Sequence, residues 1–144
     1  MSKSEDRFIQ GIKDGIPIAL GYLSVSFAFG IFAVNQGLYF WQAIAISMTN
    51  LTSAGQLAGV PIITGGLPFF ELALSQIVIN MRYALMSISL SQKLDDKVSL
   101  LNRFVIAFFN TDEIFAVASG RGNLVGKHYM FGLGLTPYLG WTLG

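Results

Sequence analysis

The sequence contains no cysteine and a single histidine, His128. Without a thiol, these 144 residues cannot form a disulfide framework, use a cysteine nucleophile or ligate an iron–sulfur cluster. One histidine cannot build a histidine-based metal site by itself. We therefore expect neither a metal nor a cofactor in this chain.

Charge is the second scarce property. Asp, Glu, Lys and Arg make up 12% of the residues, against roughly 25% in a typical soluble domain. Residues 15–70 contain none of them, and this run, wound as a helix, would cross a hydrocarbon core of about 30 Å nearly three times. No basic stripe of the kind that binds nucleic acid is present. The composition excludes a soluble globule, a disordered chain and a nucleic-acid binder, and indicates a protein that lies in a lipid bilayer.

The hydrophobic pattern predicts an all-α integral membrane protein, a polytopic helical bundle with broken or re-entrant helices. We expect residues 1–144 to form a single membrane domain that is cut within its fifth segment, because the last segment is too short for a full crossing. Residues 4–13, with Ser4 as N-cap, are predicted to form a separate surface helix before the first segment. The five membrane segments are predicted at about residues 16–34, 41–63, 68–91, 104–119 and 129–144.

Polar residues interrupt the second segment. Its centre, residues 49–56, reads TNLTSAGQ, and this composition predicts a helix that is broken near residues 52–55. Unwound backbone at membrane depth is tolerated only where protein or a water-filled cavity satisfies it, and broken helices of this kind form binding sites in transporters. The alternative is a continuous helix in which Gly55 and Gly59 pack on a neighbouring helix.

The third segment carries Arg82 well inside its length. A charge at this depth is by default a functional-site hypothesis; the alternative is that its long side chain extends towards the residue-91 end of the segment. Asn80 and Arg82 are two residues apart, which is about 200° around the axis of an α-helix. We therefore expect one of them to line a polar path and the other to bond to a neighbouring helix.

The short fourth segment has the sequence NTDE at residues 110–113, which predicts a second break. As neighbours on a helix, Asp112 and Glu113 would point about 100° apart and would not converge like a catalytic carboxylate pair. A buried acid can carry protons or hold an ammonium group, while Arg82 can grip a carboxylate. The alternative is a structural ion pair of Arg82 with Asp112 or with Glu113.

The distribution of basic residues bears on topology. Apart from Arg82, every Lys and Arg lies within residues 1–13, 92–103 or 120–128. Simple crossings would place the 92–103 connection outside the cell, against the positive-inside rule. If the second and fourth segments each enter and return on one side, all of these charges become cytoplasmic. The two segments with polar centres are thus predicted to re-enter, with a cytoplasmic N-terminus.

Several stretches of the sequence together resemble a known family. They are GIPIALGYLSVSFAFGIFA (15–33), TSAGQLAGV (52–60), VINMRYALMSISLSQKL (78–94), FNTDEIFAVA (109–118) and YMFGLGLTPYLGWTLG (129–144). In this order they resemble the AzlC family of branched-chain amino-acid exporters. The family usually has a GSAQ-like run where this chain has SAGQ (53–56), and its members are longer.

The resemblance implies a multi-pass transporter of the bacterial inner membrane that exports valine, leucine or isoleucine and is driven by the proton gradient. It also implies a small membrane partner of the AzlD type. The positions that it marks for substrate binding or coupling are Ser53, Gly55, Gln56, Asn80, Arg82, Thr111, Asp112 and Glu113.

Functions of other classes are less well supported. The sequence has no nucleophile elbow, HExxH motif, P-loop or GxGxxG motif, so we do not expect an enzyme. The main alternative to an exporter is a non-transporting membrane scaffold subunit that needs a partner or a missing C-terminal half.

Overall fold

The computed structural model describes residues 7–144, and its regular elements over this range are all α-helices. The prediction of an all-α protein is therefore confirmed for the described residues. The helices are α1 Phe8–Asn35, α2 Phe40–Thr49, α3 Ser53–Thr64, α4 Phe69–Lys93, α5 Leu100–Phe109, α6 Asp112–Ser119 and α7 Lys127–Leu143.

The first helix is longer than the sequence pattern suggests. Residues 8–13, expected in a separate surface helix, form the first turns of α1, so that prediction is wrong for them; Ser4 lies outside the described residues. Pro17 lies inside α1, where a proline normally disfavours the helix because it lacks a backbone N–H. The helix continues here because Gly11 and Gly15 pack directly on α7 and hold the turns before the proline.

The second segment is two short helices, as predicted, but its break lies slightly earlier, at residues 50–52. Asn50 and Thr52 have extended backbone angles, with φ −142° and −97°. Asn50 Oδ1 accepts hydrogen bonds from the amide and the hydroxyl of Thr52, at 3.0 and 2.7 Å. Local bonds of this kind compete with the helix. The continuous helix is thus wrong, although Gly55 and Gly59, inside α3, do pack on a neighbouring helix, α4.

The fourth segment breaks at residues 110–111, within the NTDE sequence. Thr111 caps α6, because its hydroxyl oxygen accepts a hydrogen bond from the amide of Ile114 at 3.5 Å. Asp112 and Glu113 occupy the first turn of α6, where the helix dipole stabilises negative charge. The polar centre of this segment therefore becomes a capped helix N-terminus.

Small residues pack α1 against α7. Gly11 lies beside Tyr129 and Ala19 lies beside Gly140, so the two helices run parallel. A Cβ atom added to Gly11 or to Gly140 would overlap the backbone of the other helix. Close approach through small residues is a common way of packing helices in membranes.

Several chain segments meet at one end of the molecule. Arg121, after α6, forms an ion pair with Asp14 near the start of α1, and its carbonyl accepts a hydrogen bond from Lys93 at the end of α4. Arg103, in α5, donates to the carbonyl of Ser91 at 2.6 Å. We call this the basic end, because it gathers the described Lys and Arg residues other than Arg82. Since α5 leaves this end and α6 returns to it, the two helices form a hairpin, here named hairpin B.

The other pair of short helices forms a hairpin from the opposite end. Gly55 lies beside Asn80 and Gly59 lies beside Leu72, so α3 runs antiparallel to α4. The end of α3 is therefore near the start of α4, and the turn at residues 36–39 joins α1 to α2 at this same end. We name α2 and α3 hairpin A. The two hairpins enter the molecule from opposite ends.

Large apolar side chains cover the outside of three helices. They repeat every three or four residues, so each row is one helix face. Among the described residues, α1 alone is both long enough and apolar enough to cross a bilayer by itself. Apolar surface of this extent marks contact with lipid or with another protein. The exposed rows include Leu20, Phe27 and Ile31 on α1, Leu74, Met81 and Leu85 on α4, and Leu101, Phe104 and Phe108 on α5.

Candidate functional site

The tips of the two hairpins meet around a cavity of about 100 Å³, here called the central cavity. Hairpin A contributes Ser53, and hairpin B contributes Asp112 and Glu113. Tyr83 of α4 adds its hydroxyl, and Tyr22 of α1 and Arg82 of α4 complete the polar lining. Both lie close to the midpoints of their long helices, so the cavity is about equally far from the two ends of the molecule.

An ion pair connects α4 to hairpin B. Arg82 Nη1 lies 3.2 Å from Asp112 Oδ2, and the two side chains are 50% and 47% exposed. The guanidinium group also lies over the ring of Tyr83, 5.0 Å from its centroid. Arg82 thus contacts hairpin B and does not extend to the residue-91 end of α4. Because both side chains of the pair stay about half exposed, either partner can exchange it for a ligand.

Glu113 has a different partner. The hydroxyl of Tyr22 donates to Glu113 Oε2 at 2.5 Å and lies 2.7 Å from Thr111 Oγ1. Of the two ion pairs considered from the sequence, Arg82 with Asp112 is the one found. The neighbouring acids contact separate helices, as their expected separation of about 100° around α6 predicts.

The electrostatics of the central cavity suit a ligand with both charges. Arg82 supplies one positive charge, while Asp112 and Glu113 supply two negative charges. The first turn of α3 also begins at the cavity with Ser53 and contains no acidic residue, so its positive helix end is open to an anion. By charge, Arg82 can pair with a carboxylate, and the acids of hairpin B can pair with an ammonium group.

Among the residues of this site that the sequence did not predict, Tyr22 and Trp141 connect it to α1 and α7. Trp141 is 2% exposed and contacts the ring of Tyr22 edge-on, with centroids 5.4 Å apart. Trp141 also lines a larger apolar cavity of about 440 Å³, so it separates that space from the central cavity. The sequence could have indicated Tyr22, because its hydroxyl lies in the middle of a segment without charged residues. It could not have indicated Trp141, because tryptophan is also common at membrane interfaces.

The remaining predicted site residues, Gly55, Gln56 and Asn80, lie apart from the central cavity. Gln76 donates to the carbonyl of Gly55 at 2.9 Å, and Asn80 donates to Gln76 Oε1 at 3.2 Å. Gln56 donates to the carbonyl of Asn50 at 3.0 Å. We call Asn50, Gln56, Gln76 and Asn80 the amide cluster. Asn80 therefore contacts hairpin A through this cluster while Arg82 contacts hairpin B, as their angular separation on α4 predicts.

Comparison with known proteins agrees with the resemblance seen in the sequence. The AzlC protein family matches residues 17–144. The chain belongs to the AzlC family. No solved structure matches it.

Three curated relatives of this AzlC-family chain are named membrane proteins. Inner membrane protein YgaZ of Escherichia coli (strain K12) is 26% identical over 141 residues, which cover 95% of this chain and 58% of YgaZ. An uncharacterized membrane protein of Archaeoglobus fulgidus is 29% identical over 144 residues, which cover 100% of this chain and 62% of that protein. One from Helicobacter pylori is 23% identical and covers 95% of this chain. The chain spans about three fifths of the length of these relatives.

Proposed function

We propose that this AzlC-family protein is a membrane transporter that exports valine, leucine or isoleucine, with the proton gradient as its driving force. The observation that carries the proposal is the meeting of two broken hairpins, one from each end of the molecule, at a charged central cavity. In transporter folds, discontinuous helices of this kind build substrate and ion sites near the bilayer midplane. The choice of amino acid follows from the family resemblance.

In the proposed topology, α1 and α4 cross the bilayer, α7 packs along α1, and each hairpin re-enters from one side. The basic end faces the cytoplasm, in agreement with the positive-inside rule. The N-terminus is then cytoplasmic and the protein is a multi-pass component of the bacterial inner membrane. The exposed apolar rows of α1, α4 and α5 contact lipid and a small AzlD-type subunit.

The central cavity holds the substrate by its charged groups. Arg82 binds the carboxylate, while Asp112 or Glu113 binds the ammonium group or carries the coupled proton. Because the Arg82–Asp112 pair is half exposed, substrate can replace it and the pair can re-form after release. Thr111 caps the helix that presents both acids, and Ser53 lies at the tip of the other hairpin. No residue of the central cavity is given a catalytic role.

Leucine efflux from loaded membrane vesicles tests these roles. Arg82→Gln and Asp112→Asn are expected to lower the efflux rate about tenfold or more, because each removes a charge that contacts substrate. Lys97→Gln and Asp96→Asn are matched controls on the exposed 92–103 connection and are expected to keep the normal rate. Normal efflux in both cavity variants would refute the assigned roles.

The scaffold hypothesis predicts a different outcome of the same series. If Arg82 and Asp112 only fix helix packing, their variants lower the amount of protein recovered in complex with its partner and lower efflux in proportion. A transporter site instead loses efflux while complex assembly stays normal. Measuring both quantities on the same membranes separates the two hypotheses.

A further inference from the structure

The central cavity has an apolar part that the charged groups of the proposed substrate do not explain. Three of its lining residues are apolar: Val25 of α1, Leu51 in the break of hairpin A, and Trp141 of α7. An amino acid carries its side chain on the same carbon atom as its ammonium and carboxylate groups. When both charged groups are held at the polar lining, the side chain therefore lies within reach of the apolar lining.

Val25 and Trp141 lie on the two helices of the close α1–α7 contact. Gly140, the residue before Trp141, packs so tightly that an added Cβ atom would come within 2.5 Å of the carbonyl oxygen of Ala19. Trp141 also contacts the ring of Tyr22 edge-on. Val25 has a β-branched side chain, which keeps one strongly preferred rotamer in a helix. These two residues therefore form a part of the lining that adapts little to a larger ligand.

Leu51 has a different setting. It lies between Asn50 and Thr52, whose backbone angles are extended, so it belongs to neither α2 nor α3. Its side chain is nevertheless only 7% exposed, because the tip of hairpin A brings it into the molecule at the central cavity. Leu51 is therefore the apolar lining residue whose size can change without altering the contact between α1 and α7.

We infer that the side chain of the transported amino acid binds among Leu51, Val25 and Trp141, and that the size of Leu51 sets the largest side chain accepted. This inference rests on the proposed export function and adds to it the residues that select the side chain. Trp141 separates the central cavity from the larger apolar cavity, so a longer side chain has no room to extend. One methylene group in such an apolar pocket changes selectivity by about 10–200-fold.

Efflux of amino acids of different size from loaded membrane vesicles tests the site. The rates for alanine and for phenylalanine are each divided by the rate for leucine. Leu51→Ala opens space and is expected to raise the phenylalanine-to-leucine ratio about tenfold, whereas Leu51→Phe fills space and is expected to raise the alanine-to-leucine ratio about tenfold. A residue that only supports folding would lower all three rates together, so opposite changes in the two ratios are specific to a selecting residue.

A second variant and a matched pair of controls complete the series. Val25→Phe fills the same cavity from α1, at a side chain that is 48% exposed, and is expected to raise the alanine-to-leucine ratio if Leu51→Phe does not fold. Leu57→Ala and Leu57→Phe are the controls, because Leu57 lies in α3 of the same hairpin and is 45% exposed. Both controls are expected to keep the ratios of the unmodified protein.

Two results would overturn the side-chain site, and they differ in what happens to export. Unchanged ratios in both Leu51 variants and in Val25→Phe, with leucine still exported, would refute the site and leave the export function standing. An unmodified protein that exports none of the three amino acids would refute the export function and the side-chain site together. The leucine rate of the unmodified protein therefore distinguishes the two failures.

Discussion

At the scale of single residues, the charged part of the site could be predicted because the chain has few charged residues. In a chain with so few charges, an Arg within one apolar segment and two acids within another stand out, and the structure brings Arg82 and Asp112 to 3.2 Å. The helical period also separated Asn80 from Arg82 correctly. Tyr22 and Trp141 were not predictable, because their contacts depend on how distant helices pack.

The Tyr22 hydroxyl is expected to hold hairpin B in place. Tyr22→Phe removes the donor to Glu113 and keeps the ring contact with Trp141. We expect a loss of about 1 kcal/mol in stability, since an exposed hydrogen bond to a carboxylate is lost. Thermal or denaturant unfolding in detergent measures it, with Tyr39→Phe as control because Tyr39 is 69% exposed. Equal stability of the two variants would argue against this role.

At the scale of helices, local sequence predicted the breaks and tertiary packing decided their details. Polar runs in the second and fourth segments produced the two hairpins. The first break lies earlier than expected because Asn50 bonds to Thr52 locally. Residues 8–13 join α1 because they pack on α7 together with the turns around Pro17. Which helices pair was not predictable, since glycines favour close packing without specifying the partner.

The α1–α7 contact predicts that two glycines of one helix respond oppositely to the same substitution. Gly11→Ala places a Cβ against the backbone of Tyr129, and overpacking of this kind costs about 1–3 kcal/mol. Gly21→Ala meets no atom within 4 Å and should be neutral or stabilise the helix by up to about 1 kcal/mol. Unfolding midpoints of the two purified variants check this. A Gly11→Ala protein as stable as Gly21→Ala would contradict the packing.

At the scale of the whole molecule, the distribution of basic residues anticipated how the segments are arranged. Asp14, Lys93, Arg103 and Arg121 are distant in sequence and belong to contacts at one end. The sequence pattern indicated which segments must turn back for this to happen. The sequence pattern did not indicate that the two hairpin tips meet, because their meeting depends on the lengths and packing of α1, α4 and α7.

In the proposed topology the two hairpins enter the bilayer from opposite sides and meet at the central cavity, and single-cysteine labelling in intact cells tests this arrangement. The 144 residues contain no cysteine, so Gln36→Cys, Thr64→Cys, Lys97→Cys and Gly122→Cys each give one label site. With a membrane-impermeant maleimide, we predict that positions 36 and 64 are labelled and that 97 and 122 are protected until the cells are opened. Labelling of 36 and 97 with protection of 64 and 122 is the pattern of simple crossings and would refute the proposed topology.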